Sequence, residues 1–148
     1  MTHQKFESQI KWTIPGCADL IDLHPEKLRS YVQNDYIQPD FPATGRGSKH
    51  YLSPKNAIQA KLLEYLVRQG VLKREAKEVV KHFDEYDPKR PYLHIFKKAG
   101  QIRVKWFAKV QQNKSEFEML IVINVDDIVQ SVNDNILKHG GAAIQLSG

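Results

Sequence analysis

The 148-residue chain predicts an α+β fold, with a mostly helical first half followed by a small antiparallel sheet and a closing helix. Three features predict it. Apolar residues between Ala18 and Phe83 recur at three- and four-residue spacing, the helical period. Asp84-Glu85-Tyr86-Asp87-Pro88-Lys89-Arg90-Pro91 then interrupts the pattern with two prolines among polar residues. Beyond it, Ile102, Val104, Trp106, Ala108 and Val110 alternate with Arg103, Lys105 and Lys109, the period of a strand with one wet, basic face. The expected organisation is a flexible N-terminus (1–10), a helical domain (11–83), a linker (84–91), a β-β-β-α domain (92–141) and a tail (142–148).

Lys11 to Ile14 reads as a short extended entry. Pro15 and Gly16 precede a first helix with Ala18, Leu20 and Ile21 inward. Asp22 falls at the turn, where Gly is usual, and Asp tolerates the left-handed backbone better than most residues. Leu23 fills the space between two helices. Pro25 opens the second helix, since its fixed φ and missing N–H suit a first helical position, and His24 is its N-cap. Leu28 and Tyr31 or Val32 face inward, leaving Glu26, Lys27, Arg29, Ser30 and Gln33 on the outer face.

Tyr36, Ile37, Pro39 and Pro42 mark an irregular segment, and Thr44-Gly45-Arg46-Gly47-Ser48-Lys49 a flexible basic tip. Ser53-Pro54 starts a third helix, with Ala57, Ile58, Leu62, Leu63, Leu66 and Val67 inside and Gly70 as its left-handed end. A fourth helix, Glu75 to Phe83, packs through Ala76, Val79, Val80 and Phe83. In the second half, Tyr92 to Lys97 reads as a strand, Ala99-Gly100 as a turn, Gln111 to Ser115 as a hairpin loop and Phe117 to Val125 as a central strand. Asp126 caps a last helix with Ile128, Val129, Val132 and Ile136 inside, stopped by Gly140-Gly141.

Composition narrows the function. A content of 41% hydrophobic and 26% charged residues fits a folded chain, and the net charge of +5 favours a polyanionic partner. Residues 1–83 carry 13 Lys/Arg against 9 Asp/Glu, a net +4, so the excess lies with the helices. Cys17 is the only cysteine, which excludes an internal disulfide and leaves it as a small, half-buried apolar residue. No apolar signal segment and no membrane-length apolar run occurs, so a cytoplasmic, nucleoid-associated protein is expected. There is no G-x-S-x-G, no H-E-x-x-H and no phosphate-cradling glycine loop. His82 with Asp84, Glu85 and Asp87 reads as a solvated linker, and Asp126-Asp127 as a helix cap. The expectation is therefore no enzyme, no cofactor and no metal.

Two short helices joined by a tight turn, followed by a basic loop, have little core of their own and serve to present side chains outward. The residues W-T-I (12–14), A-D-L-I-D-L-H-P-E-K-L-R (18–29), Y-I-Q-P (36–39), G-S-K-H-Y-L-S-P-K (47–55) and R-Q-G-V-L-K-R-E-A-K-E-V-V (68–80) resemble the MerR family of bacterial transcription regulators. That resemblance covers about half the chain. It implies a winged helix-turn-helix over 11–83, with Arg29 contacting DNA. Tyr31 matches the second Tyr of the family's L-R-Y-Y stretch, and Ser30 replaces the first. Lys49 and His50 stand where the family carries wing arginines, and Tyr51 matches the aromatic that follows. The family's long dimerising helix is interrupted here by Pro88 and Pro91, and its metal-sensing cysteines have no counterpart.

The expected interface comprises His24, Glu26, Lys27, Arg29, Ser30, Tyr31, Gln33, Arg46, Ser48, Lys49, His50 and Tyr51. Helix 25–33 enters the major groove, about 12 Å wide, with Glu26, Lys27 and Ser30 at base edges. Arg29 clamps phosphate or, alternatively, pairs with Glu26 three residues earlier. Arg46, Lys49 and His50 grip the backbone, while Tyr31 and Tyr51 serve either the core or phosphate. Lys97, Lys98, Arg103, Lys105 and Lys109 read as the ordinary wet face of a half-buried sheet, with a second nucleic-acid surface as the alternative. Of Trp106 and Phe107, on opposite faces, one is core and the other an interface.

The expected function is a sequence-specific regulator of transcription on double-stranded DNA, with a C-terminal domain that serves homodimerisation or, alternatively, binds another protein. The alternatives are an excisionase-like or architectural DNA-bending factor, and a protein-interaction adaptor without DNA binding.

Overall fold

A computed structural model describes residues 10–110 and 119–147, together with the side chains up to Lys138 apart from Met119. The expectations for residues 1–9 and for the loop and strand start at 111–118 lie outside the described residues. The fold is α+β. Contacts divide the chain into two units, Met1–Lys61 with Gln130–Gly148, and Leu62–Val129.

In the first unit, helix α1 (Ile14–Leu20) starts on Thr13, whose hydroxyl accepts the Gly16 N–H at 3.2 Å. Helix α2 (Pro25–Gln33) starts on His24, whose Nδ1 accepts the Glu26 N–H at 3.1 Å. Both helices end alike. Asp22 (φ +57°) and Asp35 (φ +63°) stand in the left-handed region. The Leu23 N–H reaches the Ala18 carbonyl at 2.9 Å and the Tyr36 N–H the Tyr31 carbonyl at 2.8 Å. These six-to-one bonds, with the Asp22-to-Asp19 and Asp35-to-Val32 bonds inside them, are Schellman motifs with Asp in the usual glycine position. Packing of α1 on α2 buries Cys17, Ala18, Leu20, Ile21, Leu28, Tyr31 and Val32. A fully buried Leu or Val contributes about 1.5–3 kcal/mol.

Helix α3 (Pro54–Arg68) opens on Ser53, which accepts the Asn56 N–H while Asn56 accepts the Ser53 N–H, a reciprocal capping box. It ends in a third Schellman motif, with Val71 bonded to Leu66, Gly70 to Val67, and Gly70 at φ +93°. Residues 54–61 belong to the first unit and 62–68 to the second.

In the second unit, helix α4 (Lys73–Lys81) runs into a 3-10 turn, His82–Glu85, and buries Ala76, Val79, Val80 and Phe83. Strands β1 (Tyr92–Lys98), β2 (Gln101–Phe107) and β3 (Met119–Asn124) form an antiparallel sheet in the order β2-β1-β3. Ala99 and Gly100 join β1 to β2, both at positive φ, as a two-residue primed hairpin requires. The apolar run at 119–124 is thus not the central strand. β1 is central, and Leu93, His94 and Ile95 are buried there while Leu120 of β3 remains 40% exposed.

The stretch 84–91 is built into the second unit rather than linking two domains. Tyr86 stacks on Phe83 with ring centroids 5.5 Å apart and meets Trp106 edge-on at 5.9 Å. Its hydroxyl donates to Asp126 at 2.5 Å, and burial together with that carboxylate pushes the phenol above its ordinary range.

Helix α5 (Val125–Ser147) passes through Gly140 and Gly141, so these glycines do not stop it and 142–147 is helix rather than loose tail. A Gly within a helix costs about 1 kcal/mol relative to Ala without forbidding it. The N-terminal cap is Asn124, whose Oδ1 accepts the Asp126 N–H at 3.1 Å, rather than Asp126. From Gln130 onward α5 belongs to the first unit, where Asn135 donates to the Leu20 carbonyl at 2.9 Å and Lys61 to the Ser131 hydroxyl at 3.1 Å. Asn135 thereby satisfies a carbonyl that the end of α1 leaves open.

Candidate nucleic-acid interface

Helix α2 turns Leu28, Tyr31 and Val32 inward, and the helical period leaves Glu26, Lys27 and Gln33 exposed with Arg29 and Ser30 half-exposed. Arg29 is hydrogen-bonded to Glu26 through Nη1. Ser30 accepts from the Asn34 amide at 3.2 Å, so its hydroxyl is partly committed to the helix. Tyr31 is 1% exposed, with its ring edge-on to Tyr36 at 6.3 Å. Its place in the expected interface is corrected, because a ring that fills the space between helices offers no surface to phosphate.

The basic loop is a built wing. Phe41 and Tyr51 pair antiparallel, with N–H···O bonds of 3.3 and 2.8 Å closing its base. Trp12 and Leu52 pair beside them through bonds of 2.9 and 2.8 Å. At the tip, the Ser48 hydroxyl accepts the Thr44 and Gly45 N–H groups at 2.8 and 3.3 Å, and its own N–H reaches the Gly45 carbonyl at 3.1 Å. Gly47, at φ +80°, makes that reversal without the clash of a Cβ. His50 Nδ1 accepts the Ala43 N–H at 3.0 Å, which assigns its proton to Nε2. Ser48 and His50 therefore shape the wing, while Arg46 and Lys49 stand exposed on it.

Helix and wing converge. Arg29, Val32 and Gln33 line one open cleft of roughly 490 Å³ together with Ala43, Ser48, Lys49 and His50, and with Thr13, Ile14 and Pro15 at the head of α1. Five expected residues thus meet in one place. His24, Glu26, Lys27, Ser30, Arg46 and Tyr51 are not among the cleft-lining residues. Tyr51 is half-buried at the base of the wing, with Lys11 Nζ 4.9 Å from its ring centroid and 5.2 Å from that of Phe41.

Lys11 and Asn56 carry roles that sequence reasoning missed. Lys11 lies three residues before the start of α1 and shows nothing in the sequence that would mark it. Asn56 is fully buried and accepts the N–H groups of Asp40 and Ser53 at 2.8 and 3.0 Å while donating to the Gln38 carbonyl at 2.9 Å. Ser53 donates to the Asp40 carboxylate at 2.5 Å. This network holds the chain entering the wing against the start of α3. The S-x-x-N spacing is its one legible sign.

Cys17 is buried, and desolvation pushes its thiol up to about 12, which makes it an inert packing residue. Among the described residues no helix is long and apolar enough to cross a membrane. No family model matches this chain, and neither does any curated protein.

Proposed function

We propose that this chain is a sequence-specific DNA-binding regulator of transcription, with helix Pro25–Gln33 in the major groove and the wing on the adjoining backbone. The observation that carries the reading is the shared cleft, in which Arg29 and Gln33 of the helix meet Ser48, Lys49 and His50 of the wing. A helix fits the major groove, and cations beside it contact the phosphates that flank the groove. Glu26 and Lys27 stand exposed at the helix start, where recognition helices present side chains to base edges. The likeness to MerR-type winged modules in residues 12–80 supports the same reading.

One small winged module buries too little surface for tight specific binding, so the proposal includes a dimer on two half-sites. Leu137, 77% exposed on α5, is an apolar residue suited to such a contact.

Selection of bound duplexes from a randomised pool tests the proposal. It predicts enrichment of one motif repeated in two half-sites about one helical turn, or a multiple of it, apart. A pool that returns unenriched would overturn it.

A further inference from the structure

The sheet has two unlike faces. In the register, Tyr92, His94, Phe96 and Lys98 of β1 stand opposite Phe107, Lys105, Arg103 and Gln101 of β2, and residues paired directly across strands share a face. Leu120, Val122 and Asn124 of β3 continue that face. The other face holds Leu93, Ile95, Val104, Trp106 and Ile123. It is the apolar face, where Trp106 meets Tyr86 and Lys97 is paired to Glu75 at 3.2 Å.

The first face is not the mixed polar surface that an ordinary wet face carries. Tyr92, Phe96 and Phe107 are half-exposed on it, and Lys98, Arg103 and Lys105 are exposed. Among its described residues there is no carboxylate. Cross-strand pairing sets Tyr92 beside Phe107 and Phe96 beside Arg103, so two rings lie side by side at one end of the face and a third lies next to a cation. Phe107 is held edge-on against buried His94, with centroids 4.5 Å apart, which fixes one ring in place. Tyr92 and Phe96 are four residues apart on one strand, roughly 14 Å at the usual rise.

Rings and cations sharing one face match a polyanion whose bases are unpaired, because a base in a duplex has both π-faces already stacked. We propose that this face binds single-stranded DNA, with bases stacking on Tyr92, Phe96 and Phe107 and phosphates held by Lys98, Arg103 and Lys105. The amide oxygens of Gln101 and Asn124 accept from Arg103 at 3.2 Å and from the Asp126 N–H at 3.1 Å. Among the described residues of this face neither a carboxylate nor an open amide oxygen stands ready to accept from a ribose 2′-hydroxyl, so nothing here selects RNA and the occupant proposed is DNA. The inference is independent of the helix–wing reading, which concerns duplex DNA and other residues.

The test is fluorescence anisotropy of the full chain with a labelled strand of about 15 thymidines, titrated over roughly 50–200 mM salt. Binding is expected, and R103Q/K105Q should weaken it at least tenfold and flatten the log–log salt slope by about 1.4, from 0.7 per phosphate. Y92L keeps the side-chain bulk and should weaken binding about tenfold through lost stacking. Both variants should bind duplex DNA as the parent does, while R46Q/K49Q should show the reverse pattern. Should Y92L fail to fold by circular dichroism, the exposed pair Arg103 and Lys105 decides alone. No binding of the thymidine strand at the lowest salt, an unchanged slope in R103Q/K105Q, or about tenfold tighter binding of the equivalent RNA would overturn the proposal.

Discussion

The Arg29 guanidinium is bonded to the Glu26 carboxylate one turn earlier on the same helix, which joins the two residues with the most direct parts in the proposed interface. Arg29 is 36% exposed and Glu26 71%, and a pair this open is worth about 0.2–1 kcal/mol. A charge-assisted bond to phosphate is worth about 1.5–3 kcal/mol, so in the proposed complex phosphate would displace Glu26 from Arg29. Glu26→Ala should therefore raise affinity for random duplex severalfold and lower the ratio of specific to random binding. Arg29→Ala should weaken both and reduce the salt slope by about one unit. Anisotropy titrations across salt check both variants, and an unchanged slope in Arg29→Ala would reduce Arg29 to a surface ion-pair residue.

The wing is predicted to depend on a residue it does not contain. Asn56 is fully buried and bonded to the backbone at Gln38, Asp40 and Ser53. Asn56→Ala leaves the buried Ser53 N–H without its partner, at about 1–3 kcal/mol, and the part-buried Asp40 N–H and Gln38 carbonyl at less, because water reaches them. A loss of roughly 2–4 kcal/mol in urea unfolding is expected, with weaker duplex binding under conditions where the variant is folded. A loss below about 0.5 kcal/mol would show that the network does not hold the wing.

Helices α1 and α2 both end on an Asp at positive φ, Asp22 and Asp35. Asp22→Gly and Asp35→Gly remove the Cβ strain, and the resulting gain is tempered by greater freedom in the unfolded chain. Each should stabilise by up to about 1 kcal/mol, read as a raised urea midpoint at unchanged slope. Destabilisation would mean that the Asp side chains do more than tolerate the turn.

Two buried groups, Cys17 and His94, make stability depend on pH. The Cys17 thiol is raised from 9.0 to about 12, so the folded state holds its proton more tightly than the unfolded state. Stability should fall as pH rises from about 9 towards 12. Burial lowers His94 below its ordinary 6.5, so the unfolded state binds that proton more tightly. Its contribution is present above pH 6.5 and is lost as pH falls through and below that value. Urea unfolding against pH checks both dependences, and slow alkylation of Cys17 in the folded chain at pH 8, fast in urea, checks the first.

Where a single residue type has a strong backbone preference, the sequence was readable. Pro25 after His24, Asp22 at the turn, Ser53-Pro54, Gly70 and Ala99-Gly100 all stand where their chemistry predicts. So does the alternation of β2, whose basic residues are exposed while Ile102, Val104 and Trp106 are half-buried. Long-range pairing was not readable. Nothing local says that β1 rather than 119–124 is central, that Tyr86 packs on Trp106, or that Asn135 reaches back to Leu20. Glycines at 140 and 141 are strong stop signals only when nothing else holds the helix. Of the residues expected at the candidate interface, Arg29, Gln33, Ser48, Lys49 and His50 line one cleft. Tyr31 departs from the expected interface because an amphipathic ring at helical spacing suits either side of a helix, and packing decides for the core.

The most direct test compares the parent chain with Arg46→Gln/Lys49→Gln on its selected duplex and on a scrambled one, following affinity against salt. The account predicts that the parent prefers its selected site by at least about a thousandfold. It predicts too that the double variant loses about 1.8 units of salt slope on both duplexes, from 0.9 per phosphate. Equal affinity for the two duplexes in the parent, with a slope that the wing substitutions leave unchanged, would contradict it.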